Sequence, residues 1–128
     1  MDIEGVSITN KTKGKLPSLP FVEMKDFVLG KKYELSLVFV GTTLSKKLNF
    51  TYRGKDKPTN VLSFPLDRDQ GEIFINPDKA RIEAVEWNKP YDNFIGLLFI
   101  HGLFHLKGLD HGDEMEKLEA KALKKFNL

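Results

Sequence analysis

The stretch Phe94-Ile-Gly-Leu-Leu-Phe-Ile-His101-Gly-Leu-Phe-His105-Leu-Lys-Gly108-Leu-Asp110-His111 decides how this chain folds. From Asp92 to Lys107 it is apolar on nearly every side. A helix of that pattern has no face to offer water, so other elements must enclose it. The unbroken apolar run, Phe94 to Ile100, falls far short of the roughly 20 residues that span a bilayer. Gly108 is the expected C-cap, because glycine accepts the left-handed backbone that reverses a helix end.

All three histidines of the chain fall within the eleven positions 101–111. His101 and His105 are four residues apart, so on a helix they share one face, one turn apart. That separation suits two imidazoles on one tetrahedral zinc ion. The turn at Gly108 lets His111 fold back as a third ligand. Three protein ligands leave one position for water, the arrangement of a catalytic rather than a structural zinc, and such water ionises near neutrality. A lone histidine on an apolar helix is usually a hydrogen-bonded core residue. Burying three unpaired imidazoles costs roughly 1–3 kcal/mol each, and ligation removes that cost. The spacing also fits the zinc-peptidase pattern H-E-x-x-H-x-x-G-x-x-H. Gly102 stands where that pattern has its glutamate base, which argues against peptide hydrolysis and removes bulk beside the metal.

Working outward, the remaining chain reads as alternating short elements. Ile3–Thr9 reads as a first strand, Leu19–Leu29 as a helix capped by Ser18, and Tyr33–Val40 as a strand. A helix capped by Thr42 or Thr43 runs to about Tyr52, followed by the loop Gly54–Asn60. Val61–Phe64 and Gly71–Asn76 read as two strands joined by a polar turn. Asn76-Pro77 opens a helix to about Trp87, and Asp113 opens a last amphipathic one to about Phe126. The expected class is α+β: one domain over 1–128, with a small mixed four-stranded sheet packed with about five helices.

The chain has 128 residues, 41% hydrophobic and 30% charged, with net charge +2 and no cysteine. The length suits a single core. The missing cysteines exclude disulfides, thiolate nucleophiles and cysteine ligands. The near balance excludes a polyelectrolyte-like basic protein and an acidic disordered one. Residues 1–57 nevertheless carry net +5 and residues 58–128 net −3. The basic half could meet phosphate oxygens, although solvated faces explain most such lysines. The acidic, alternating N-terminus is unlike a secretory signal, so a soluble cytoplasmic protein without membrane contact is expected.

Two blocks resemble the YbeY-type rRNA maturation factors, a family of single-strand-specific metallo-endoribonucleases. HGLFHLKGLDH at 101–111 is similar to the family's H-G-x-L-H-L-x-G-Y-D-H, with Phe104 for leucine and Leu109 for tyrosine. Asn49 to Pro65 is similar to N-x-x-Y-R-x-K-D-x-P-T-D-V-L-S-F-P, with Asn60 where aspartate is usual. Gly71-Glu72-Ile73 looks like the family's G-D-I, and Glu114-Met115…Glu119 like its final helix. The resemblance spans 49–119. It implies a zincin-like fold and one zinc on His101, His105 and His111. It also implies action on single-stranded RNA at the 3′ end of small-subunit rRNA and in ribosome quality control, with ribosomal particles or proteins as partners. Arg53 matches the family's functional arginine, and a guanidinium suits a phosphate clamp. No general base is obvious. Glu72, Asp110 and Asp113 are candidates, each with a plainer role: a solvent-facing strand residue, a partner to a ligand imidazole, or a helix cap. Tyr52 is either core or a stacking surface for one base. A zinc-holding ribosome-assembly factor without catalysis is the alternative, and a zinc peptidase a more distant one.

Overall fold

The computed structural model describes residues 2–128. Ten elements follow in order: β1 (Asp2–Ile3), β2 (Val6–Asn10), α1 (Phe21–Leu29), β3 (Glu34–Phe39), α2 (Thr42–Arg53), β4 (Val61–Asp67), β5 (Gln70–Ile75), α3 (Pro77–Glu86), α4 (Tyr91–Leu106) and α5 (Asp113–Lys125). The class is α+β, as expected, with five helices and one mixed sheet in the order β1-β2-β3-β5-β4. The four longer strands are those read from the sequence. β2, β3 and β5 run parallel, while β4 returns antiparallel to β5.

The first strand differs from its expectation. It is not continuous from Ile3 to Thr9, because Glu4 and Gly5 take positive φ values of 40° and 86° and turn the chain back on itself. The short β1 then pairs antiparallel with β2. Ser18 does not cap α1; the helix starts three residues later behind Pro20, with no side-chain cap. Neither threonine caps α2, whose N-cap is Gly41, and Asp113 is the first residue of α5 rather than its cap, which is Gly112. Asn76 does cap α3, its side-chain oxygen accepting from the Lys79 backbone N–H at 3.2 Å.

α4 is enclosed as its composition requires. Phe94, Ile95, Leu98, Phe99, Ile100, Leu103 and Phe104 are buried against Leu35, Leu37, Phe39, Ile73 and Ile75 of the sheet and Phe21, Met24 and Val28 of α1. Each such side chain contributes about 1.5–3 kcal/mol on leaving water. Alternation on β5 follows: Ile73 and Ile75 face α4, and Glu72 and Phe74 face the other side. Helix and sheet approach closely at Gly102. A Cβ there would lie 2.9 Å from Ser63 Oγ and 3.0 Å from Ile73 Cδ1. The glycine therefore makes room for β4 and β5, and Ser63 uses it, donating to the Gly102 carbonyl at 3.1 Å.

Among the described residues no helix is long and apolar enough to cross a membrane.

Candidate metal centre and its cavity

The last turn of α4 builds the centre. Gly108, at φ 100°, reverses the chain. Its N–H donates to the His105 carbonyl and the Leu109 N–H donates to the Phe104 carbonyl, at 3.0 and 3.1 Å. This pair of bonds is the Schellman closure of a helix. Here it does more than satisfy orphan carbonyls. It carries the Leu109 carbonyl over the helix end, where it accepts from His105 Nδ1–H at 3.0 Å. His101 donates its Nδ1–H to Glu119 Oε1 on α5 at 2.5 Å. Carboxylates and carbonyls can only accept, so both Nδ1 atoms carry the proton.

In neutral rings both Nε2 atoms are then bare lone pairs, and the two Nε2 atoms face each other at 2.9 Å. Two lone pairs at that distance repel unless a cation lies between them. Protonating His105 is the weaker remedy: burial, then the neighbouring His101, push its pKa below the usual imidazole value. His111 completes the group, its ring centre 5.0 Å from that of His101 and 4.9 Å from that of His105. One nitrogen from each of the three rings lies within 4.8 Å of the others. The donor set thus fits a divalent metal ion with affinity for imidazole. The three histidines singled out in the sequence are brought together as expected.

These rings line a cavity of about 590 Å³ with Tyr52, Arg53, Thr59, Asn60, Val61, Leu62, Ser63 and Phe64. Arg53, in the last turn of α2, is exposed at its rim and has no ion-pair partner among the described residues. A smaller cavity of about 310 Å³ adjoins it, sharing Arg53, Thr59 and Asn60 and adding Lys55, Lys57 and Lys79. The loop bearing Lys55 and Lys57 is fastened from below. Buried Asn49 donates to the Lys57 carbonyl at 2.8 Å, and buried Ser45 donates to the Thr59 carbonyl at 2.7 Å while accepting from its N–H at 3.0 Å. Asn60 donates to Glu83 Oε1 at 2.8 Å.

The three carboxylates considered as bases do not line this cavity. Glu72 lies on the sheet face away from α4, paired across from Phe64, and Asp110 and Asp113 are exposed. Asp110 does not hold a ligand imidazole either. Glu119 does, reaching His101 from eighteen residues further along. The sequence carries only a faint signal for it: a carboxylate nearly two turns into α5, four residues after buried Met115 and three before buried Ala122, and so on the helix face that packs inward. Gly102 removes bulk less beside the metal than between α4 and the sheet.

Glu119→Gln keeps an acceptor for the imidazole N–H but removes the charge. Metal affinity is expected to fall about 10- to 100-fold, read by competition with a chromophoric chelator. Unchanged affinity would show that Glu119 orients nothing.

Comparison with known proteins agrees with this geometry. The family model described as endoribonuclease YbeY matches residues 9–127. Endoribonuclease YbeY of Neorickettsia sennetsu is 39% identical over 110 residues, covering 77% of this chain and 77% of that protein. The protein of the same name from Ehrlichia ruminantium is 34% identical over 133 residues, covering 96% and 80%. The solution structure of TM1509 from Thermotoga maritima superposes with a TM-score of 0.66 at 28% identity, over 94% of this chain and 88% of that one. With the match running through both the histidine helix and the Arg53 loop, this chain belongs to the endoribonuclease YbeY family.

Proposed function

We propose that residues 1–128 form one domain that cleaves single-stranded RNA in the maturation of small-subunit rRNA and in ribosome quality control. It acts in the cytoplasm on ribosomal particles and depends on one zinc ion. His101, His105 and His111 hold the metal, and Arg53 is the catalytic cation. The carrying observation is the convergence of three imidazole nitrogens within 4.8 Å of one another in a cavity that also presents Arg53.

When bound, the ion supplies Lewis-acid polarisation of a phosphoryl oxygen and a lowered pKa for water. The chain's own residues do the rest. Glu119 and the Leu109 carbonyl fix the tautomers of His101 and His105, so both Nε2 atoms stay available as ligands. Arg53 meets the charge that grows on the phosphoryl oxygens. Its fork of N–H donors suits two of them at once. Lys55 and Lys57 beside it hold the flanking phosphodiesters by charge, independent of base identity. No carboxylate is among the described residues lining the metal cavity.

Arg53→Glu tests this reading on defined single-stranded RNA. The protein is expected to melt as wild type does and to keep its metal, while cleavage falls about 100- to 1000-fold or more. Undiminished cleavage would remove Arg53 from the reaction. The absent carboxylate gives one second reading, a zinc-holding assembly factor that binds ribosomal particles and cuts nothing. Zinc-loaded protein that binds such particles without cleaving RNA would favour it.

A further inference from the structure

Tyr52 is 63% exposed, so it is no part of the core. It stands one residue before the end of α2, which Gly54 terminates in the left-handed conformation at φ 69°. That places Tyr52 and Arg53 together at the mouth of the metal cavity, which both line. The Tyr52 ring is seated rather than loose. Its centre lies 4.8 Å from that of Phe64, and Phe64 in turn lies 5.7 Å from Phe74 on the neighbouring strand. Three rings therefore step from the sheet to the cavity rim, and the outermost leaves most of its surface to water. An aromatic ring braced from behind and bare in front, next to an unpaired guanidinium, matches what one unstacked nucleotide offers: a flat base and an anionic phosphate.

We propose that Tyr52, braced by Phe64, stacks one unpaired base next to the scissile phosphate and makes the site selective for single strands; this rests on RNA being the substrate. In a duplex both faces of each base are covered by neighbours, so the ring has nothing to stack on. Every base has a π-face, so the platform imposes single-strandedness with little preference of sequence. Tyr52 is thus a specificity residue, and Arg53, adjacent in the chain, anchors the phosphate next to the stacked base.

The test uses intact zinc-loaded protein and an oligoribonucleotide with 2-aminopurine placed at successive positions. Wild type is expected to quench fluorescence at one position flanking the cleaved bond. Tyr52→Leu should melt as wild type does yet lose the quench, and bind about 10- to 100-fold more weakly. The loss should appear in KM rather than kcat, with discrimination against duplex reduced alongside. Tyr52→Phe should restore both. An abasic site at the quenched position should weaken wild type as leucine does and weaken Tyr52→Leu no further. Tyr52→Leu that quenches and discriminates like wild type would overturn the proposal. So would a lowered melting temperature that phenylalanine does not repair, which would mark the ring as structural. Protein that quenches at one position but never cuts RNA would uphold the platform and sink the nuclease reading instead.

Discussion

His105→Ala is expected to yield folded protein that neither retains zinc after purification nor cleaves RNA. The effect should exceed the roughly 10- to 100-fold typical of changes behind a ligand, because one of the three proposed ligands is gone. The loss has a thermal counterpart. A ligand present at a thousand times its Kd stabilises the native state by about 4 kcal/mol. For a domain of this size that is a melting shift of roughly 4 °C per kcal/mol. Wild type should show this shift on adding zinc, and His105→Ala should not. In the metal-free form the difference should nearly vanish. Wild type holds two lone pairs against each other at 2.9 Å, and the alanine variant is relieved of that repulsion. Its metal-free stability should therefore fall little. Full zinc retention with unchanged cleavage would show that the three rings do not act as one site.

Gly102→Glu restores the single letter that separates 101–111 from the zinc-peptidase pattern, and it is expected to damage the protein rather than to create a peptidase. The new Cβ would meet Ser63 Oγ at 2.9 Å and Ile73 Cδ1 at 3.0 Å. Overpacking of this kind costs about 1–3 kcal/mol, and a carboxylate buried without a partner about 3–5 kcal/mol. Ser63 would also lose its bond to the Gly102 carbonyl. Gly102→Ala separates the two effects, since it adds the crowding without the charge and gains about 1 kcal/mol of helix propensity. Urea denaturation should rank wild type above alanine and alanine well above glutamate. A glutamate variant of native stability that hydrolyses an unstructured peptide would reinstate the peptidase reading that Gly102 disfavours.

Those two positions also show what was legible in the sequence. The metal-centre histidines were readable because their spacing lies inside a single helix and its closing turn, where chain geometry is fixed by local rules. Asn76-Pro77 and Gly108 were readable for the same reason, each setting its own backbone. Ser18 failed because a cap must sit next to the first turn, and Pro20 delays that turn by fixing its own φ. Glu4-Gly5 was missed because alternation alone hides a reversal that needs just two residues at positive φ. Glu119 could not be assigned as the partner of His101 by spacing, since α5 is brought to α4 by packing of Met115 and Ala122 and not by sequence proximity. The choice between core and platform for Tyr52 likewise waited on knowing which side of α2 the sheet covers.

The reversal at Gly108 bears on how this segment can vary in length. The second imidazole is inside the helix, the third lies beyond the reversal, and the carbonyl that orients the second belongs to the turn itself. An added or deleted residue between 105 and 111 would rotate the third ring away and withdraw that carbonyl in one event. Insertions in the polar stretch 11–15, which lines neither the metal cavity nor the one adjoining it, carry no such penalty. Related chains should therefore differ freely in length there and hardly at all between the second and third histidines.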